Sequence, residues 1–290
     1  MEMSRPSGRR PSLSGPSWRR LPAILALALI LAFVAFCTVW RIGGGSWQRV
    51  ESPSMGTRAP VGSLLWTRPT DFDSLQSGDF ITFHPPGRPS ATYSHLIQRR
   101  LADGTLTTRG MISGSDPWRL THRDLVGKVR MTWPGVGWIV VAAPILIAGT
   151  VIIGLVSSLA GRRWRLPAII VLAAITLTVA IMVYKPLLDA EQIAARPNPA
   201  GGADGIYVGT GLLPIRIQAA GDHSHLDLRT GEIGTVHVPK PDQDNRFRVR
   251  LSAAVPFWFW IAMIFACFLP AIYTATIGLP RPKAEDPSGT

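Results

Sequence analysis

The sequence predicts an α-helical membrane protein with four transmembrane helices plus extracytoplasmic all-β domains. Three observations carry this expectation. The stretches 21–40, 136–160, 166–184 and 257–279 contain no Asp, Glu, Lys, Arg or His, and about 20 helical residues suffice to cross a ~30 Å hydrocarbon core. Positive charge gathers beside these stretches. The segments between them read as short runs bounded by turn residues, the pattern of small β domains. With 290 residues, 47% apolar and only 17% charged, a fully soluble chain and a wholly disordered one are both excluded.

Residues 1–20 are Ser, Pro, Gly and Arg without apolar periodicity, which predicts a disordered basic cytoplasmic tail. The run 21–40 is longer than the ~7–15 residues of a signal-peptide core and is followed by Trp40-Arg41 rather than a small-x-small site, so it reads as an uncleaved anchor. Gly43-Gly44-Gly45-Ser46 reads as a flexible hinge.

In the first loop, 41–135, strands are expected at Ser63–Thr67, Asp79–Phe83, Ser94–Leu101 and Thr105–Arg109, the last two joined by an Asp103-Gly104 hairpin turn. Spans at 136–160 and 166–184 are joined by a short turn holding Arg162, Arg163 and Arg165. The second loop, 185–256, opens with a Pro/Gly/Ala-rich linker and continues with runs at 205–208, 213–218, 225–228, 235–238 and 247–251, a small β-sandwich or meander. The span 257–279, with an aromatic belt of Phe257, Trp258, Phe259 and Trp260, leads into a cytoplasmic tail at 280–290.

The net charge of +12 comes from 26 Arg and 4 Lys against 18 acids. Arg5, Arg9, Arg10, Arg19 and Arg20 precede the first span, and Arg281 and Lys283 follow the last. The positive-inside bias then places both termini in the cytoplasm and both long loops outside a plasma membrane crossed several times. The charge reads as topology and contact with lipid headgroups, not nucleic acid. Transport is disfavoured because the spans lack ionisable groups. Cys37 and Cys267 both lie in spans, so no disulfide framework is implied.

The outer loops must then carry the function. A hydroxyl nucleophile needs a nearby base, and the first loop offers one lysine, Lys128, and three histidines, His84, His95 and His122. His84 precedes Pro85-Pro86 and His122 sits among Arg119, Arg123 and Asp124, both loop settings, while His95 begins an apolar strand. The residues alone leave open whether Ser54 and His95 are a reacting pair or ordinary polar residues. In Asp222-His223-Ser224-His225-Leu226-Asp227 two histidines could serve as metal ligands, but spacing supplies no third, so no metal and no organic cofactor is assigned.

Ser52-Pro53-Ser54-Met55 with Pro60-Val61-Gly62 resembles the S-x-S-M…P-x-G segment of type I signal peptidases. Gly78–Phe83, Tyr93–Ile97, Thr108-Arg109-Gly110 and Asp124–Val129 follow in that family's order. The resemblance covers about 50–135, less than a third of the chain. It implies Ser54 as nucleophile. His95 stands where best-known bacterial members carry Lys, which is similar to the branch of archaea, the endoplasmic reticulum and some Gram-positive bacteria. It further implies Asp116 as the residue that orients His95, with Ser52 and the Ser54 N–H stabilising the oxyanion. Met111 replaces the family's first Asp and the loop to Asp116 is one residue short, which keeps Asp103 and Asp124 as alternatives. The implied activity is a membrane-bound serine endopeptidase that removes signal peptides from exported precursors with small residues before the cut. A dedicated processing enzyme for one surface-fibre or pilin-like partner, or an inactive scaffold, are the other readings.

Overall fold

A computed structural model describes residues 21–161, 164–219, 224–241 and 246–277. The expected tails at 1–20 and 280–290, together with Arg162, Arg163, Asp222 and His223, lie outside the described residues.

The fold class differs from the four-span helical expectation. Among the described residues three helices are long and apolar enough to cross a membrane: Ile24–Ile42 within α1 (Leu21–Ile42), α2 (Val136–Leu159) and α3 (Arg165–Tyr184). Of α4 (Phe257–Ile277), the apolar stretch among the described residues is Phe257–Leu269, and α4 is not one of the three. The rest of the described chain is mainly strand, in three antiparallel sheets.

The chain divides into two compact units, Met1–Ser46 and Trp47–Thr290. In the first, Gly43-Gly44-Gly45 is not a loose hinge. Gly43, Gly44 and Gly45 donate N–H bonds to the carbonyls of Val39, Arg41 and Trp40, closing the open end of α1. A side chain on Gly45 would collide with the Trp40 ring.

The second unit begins with a six-stranded sheet in the order β1-β2-β6-β3-β4-β5. Its strands are β1 (Ser46–Arg49), β2 (Leu64–Arg68), β3 (Phe80–Phe83), β4 (Tyr93–Arg100), β5 (Leu106–Arg109) and β6 (Leu125–Trp133). Both faces of this sheet are covered, so β3 is buried at every residue. On one face Leu75, Ile81, Phe83, Ile97, Leu106 and Leu120 form a core; on the other, Met55, Ala59, Leu65, Phe80 and Leu96 do so. The Asp103-Gly104 turn joins β4 to β5, with Gly104 at φ +81° and the Asp103 carboxylate accepting the Thr105 N–H.

α2 and α3 pack as a hairpin, and the close approach is set by Gly149, where a Cβ would strike the Thr176 side chain. The hydroxyls of Thr150, Ser157, Ser158 and Thr176 each donate to a carbonyl of their own helix, which satisfies them without a partner. The start of α2 rests on the six-stranded sheet: a Cβ on Gly137 would stand 2.7 Å from the Gly62 carbonyl oxygen, and the Arg49 guanidinium lies 5.6 Å from the centre of the Trp138 ring.

Beyond α3 come two three-stranded sheets, β10-β9-β12 and β11-β8-β7. They comprise β7 (Ala190–Pro197), β8 (Ala203–Gly209), β9 (Ile215–Ala219), β10 (His225–Leu228), β11 (Ile233–Val238) and β12 (Val249–Ala253). Tyr207, Ile215, Ile217, Ala219, Leu228, Val236 and Val238 make their shared core, a small sandwich. The expected linker at 189 onward is instead β7, paired along β8 from Ala190↔Gly209 to Pro197↔Ala203. Its Ala, Glu and Gln content gives no strand signal, and pairing to one neighbour holds it at the sheet edge.

Candidate active site

Three side chains far apart in sequence meet at the edge of the six-stranded sheet. His95 Nε2 lies 3.0 Å from Ser54 Oγ, and His95 Nδ1 lies 2.7 Å from Asp116 Oδ2. The imidazole is 4% and the carboxylate 8% exposed. An ionised carboxylate only accepts hydrogen bonds, so Nδ1 carries the proton and Nε2 is left to accept from the Ser54 hydroxyl. Thr108 Oγ1 donates to the same Asp116 oxygen at 2.6 Å. The Ser52 hydroxyl donates to Ser54 Oγ at 3.3 Å.

Local sequence explains why each group is held. Ser54 sits in a short 3-10 turn, Pro53–Arg58, and the next residue, Met55, is anchored in the core at 1% exposure. Gly56 breaks that turn at φ +53°, a conformation that favours glycine. Ser54 is the second residue of this turn, and the first N–H groups of a helical turn have no partner within it. His95 lies on β4 opposite Ile81, and Leu96 beside it is buried in the opposite core. The edges of Phe83 and Tyr93 flank the imidazole, with ring centres 6.2 and 5.8 Å away.

Asp116 is delivered by the loop after β5. Its N–H donates to the Thr108 carbonyl at 2.9 Å, and Gly110 N–H donates to Gly114 O, so the loop folds back on the strand it leaves. Ile112 N–H reaches the Ser54 carbonyl at 2.9 Å. Gly110 fills the tightest place: a Cβ there would stand 2.9 Å from Ser54 O and 3.5 Å from His95 Nε2. Met111 points no carboxylate at His95 and is exposed.

The alternative carboxylates are engaged elsewhere. Asp103 accepts from Thr105 and pairs with Arg119, and Asp124 accepts from the Thr121 N–H and hydroxyl. His84 Nδ1 meets the Ala91 carbonyl at 2.9 Å, and His122 is exposed. Lys128 contacts Asp79 at 2.5 Å, which occupies the one lysine of the sheet. Burial works to raise the Asp79 carboxyl, but the Lys128 ammonium and the Gln76 N–H outweigh it and hold its pKa below the ordinary value.

Two contributors are not legible as such in the sequence. The Thr108 hydroxyl and the Gly110 clearance depend on the β4–β5 register, Leu96↔Arg109 and Ile97↔Thr108, which no local pattern specifies. Among the described residues no group of three or more His, Cys, Asp or Glu comes together as a metal site. His225 is exposed on β10, and Asp227 is bound by Arg216. No protein-family model matches the chain, and comparison with curated proteins gives no match.

Proposed function

We propose that this chain is a membrane-anchored serine endopeptidase of the signal-peptidase type, which cleaves precursors of exported proteins at the extracytoplasmic face of the membrane. The observation that carries the proposal is the continuous chain Ser54 Oγ, His95 Nε2, His95 Nδ1, Asp116 Oδ2, at 3.0 and 2.7 Å with the carboxylate buried. Nucleophile, base and orienting carboxylate in this order are what acyl transfer through a serine requires.

In that reaction Ser54 Oγ attacks the scissile carbonyl carbon while its proton passes to His95 Nε2. Asp116 holds the Nδ1–H and stabilises the imidazolium that forms. The oxyanion is met by the Ser54 N–H, and the Ser52 hydroxyl, already beside Ser54 Oγ, turns to it. Such a donor typically supplies ~3 kcal/mol of transition-state stabilisation. Collapse of the tetrahedral species breaks the C–N bond, and His95 returns its proton to the leaving amine. Water, deprotonated by His95, then releases the acyl chain and restores Ser54. No cofactor enters these steps.

The membrane setting is supported by three sufficiently long apolar helices. Arginine beside α1 and in the α2–α3 turn favours a cytoplasmic position for Gly161 and an extracytoplasmic position for both sets of sheets. In this reading the α2 start, which packs on Gly62, joins the six-stranded sheet to a membrane helix, and the precursor presents its cleavage site as it emerges from its own membrane helix. Cells carrying Ser54→Ala in place of the wild type should accumulate exported proteins with uncleaved N-terminal segments. Unchanged N-termini across the exported proteins, with the variant present in the membrane, would favour an inactive scaffold.

A further inference from the structure

The reaction uses the six-stranded sheet and leaves the sandwich of β7–β12 without a task, yet part of that sandwich stands beside Ser54. The turn between β10 and β11 is packed on the turn that carries the candidate nucleophile. A Cβ on Gly231, at φ +79°, would stand 2.6 Å from the Gly56 carbonyl carbon and 2.7 Å from Thr57 N. The two meet backbone against backbone, two residues from Ser54.

A cleft of about 450 Å3 opens at this junction. Gly56, Thr57, Met111 and Ile112 form one wall, and Leu226 and Ile233 stand on the other. The first wall is continuous with the site, because Ile112 donates its N–H to Ser54 O. Met111 is 56% and Ile233 47% exposed, so large apolar side chains are left open on opposing walls. The acids of the lining are engaged: Asp227 holds the Arg216 guanidinium through two bonds of 2.7 Å, and Glu232 accepts the Arg229 N–H at 2.8 Å. What the cleft offers an incoming chain is therefore apolar contact. β10 and β11 are also the edge strands of their sheets, the kind of strand that an extended peptide can join through backbone bonds.

We infer that the sandwich supplies a specificity subsite: the cleft between Met111 and Ile233 takes an apolar side chain from the extended precursor segment flanking the scissile bond, with Ile233 and Leu226 as its selecting residues. This rests on the peptidase reading above and adds the class of substrate residue that the site prefers. A chain that processed any precursor with small residues at the cut would have no use for such a wall. One with this wall discriminates among precursors by an apolar residue outside the small-residue motif.

The test uses the full chain in liposomes with two pairs of model precursors, all sharing the same small residues before the cut. In one pair three consecutive residues ahead of that motif are Leu or Ser; in the other, three residues after the cut are Leu or Ser. The wild type should favour the Leu member of one pair by tenfold or more in kcat/KM. Ile233→Glu and the milder Ile233→Ser should reduce that preference to near unity through KM, with cleavage of the Ser member retained. No preference in the wild type, an unchanged preference in both variants, or an equal loss on Leu and Ser members would overturn the inference while leaving the peptidase reading standing. Failure of the wild type to cleave any of the four precursors would instead remove the peptidase reading itself, and the subsite with it.

Discussion

At the scale of single residues, Asp116 is the most informative position, because its only evident task is to receive the His95 Nδ1–H and the Thr108 hydroxyl. Asp116→Asn should leave the fold intact and lower turnover of a model precursor by about 10⁴-fold, the size seen when an amide supports the wrong imidazole tautomer in a serine triad. Asp103→Asn and Asp124→Asn, whose carboxylates serve turns, should leave turnover within about twofold of the wild type, since surface substitutions of this kind stay within ~0.5 kcal/mol. Thr108→Val removes one hydrogen bond to a charged group, worth ~1.5–3 kcal/mol, so turnover should fall by about ten- to a hundredfold with near-normal KM. Steady-state kinetics of the four variants against one precursor separates these cases. Ser54, His95 and Asp116 are singled out in the sequence by the resemblance of their segments to signal peptidases, whereas the residues alone leave the pair Ser54 and His95 open. Thr108 and Gly110 cannot be assigned their parts, because what matters in them is a distance across β4 and β5, and register is a property of pairing rather than of composition.

The elements show a similar division. β2 to β5 are marked by β-branched and aromatic runs between turns, and the Asp103-Gly104 signal specifies the β4–β5 hairpin, whereas the β6 segment is marked only by the resemblance at Asp124–Val129. β7 carries no such mark, since Ala-Glu-Gln-Ile-Ala-Ala is held as a strand by its pairing with β8 and by nothing in its own residues. Lack of charge over 257–279 suggested a fourth span, whereas among the described residues the helices long and apolar enough to cross a membrane lie in α1, α2 and α3. The β3–β6 pairing carries a pH-dependent contribution. Asp79 keeps its carboxyl below the ordinary range, so the folded state releases that proton more readily than the unfolded chain. The Asp79–Lys128 pair therefore adds stability above the ordinary carboxylate pKa, and the contribution is lost as the pH falls through the lowered folded value. Asp79→Asn should be less stable than the wild type at neutral pH, and the gap should narrow below about pH 4. Thermal unfolding of the solubilised protein followed by tryptophan fluorescence at several pH values measures this. A gap that is constant with pH would mean that Asp79 acts through packing alone.

For the whole molecule, the arrangement of apolar helices and sheets makes a statement about sides. If α1 and the α2–α3 hairpin cross the bilayer, the six-stranded sheet and the sandwich share one face, and the turn at Gly161 lies on the other. Reporter fusions at Trp47 and Thr235 should both report outside and a fusion at Gly161 inside; an inside report at Thr235 would break the shared-face arrangement on which the cleft depends. The central claim is that Ser54, activated by His95, cuts a precursor at this face. The most direct measurement reconstitutes the purified chain in liposomes, supplies a membrane-spanning model precursor with small residues before the cut, and reads the product ends by mass spectrometry. The account predicts a single cut after the small residue, abolished by Ser54→Ala and by His95→Ala. Intact precursor with the wild type, or the same cut with Ser54→Ala, would contradict it.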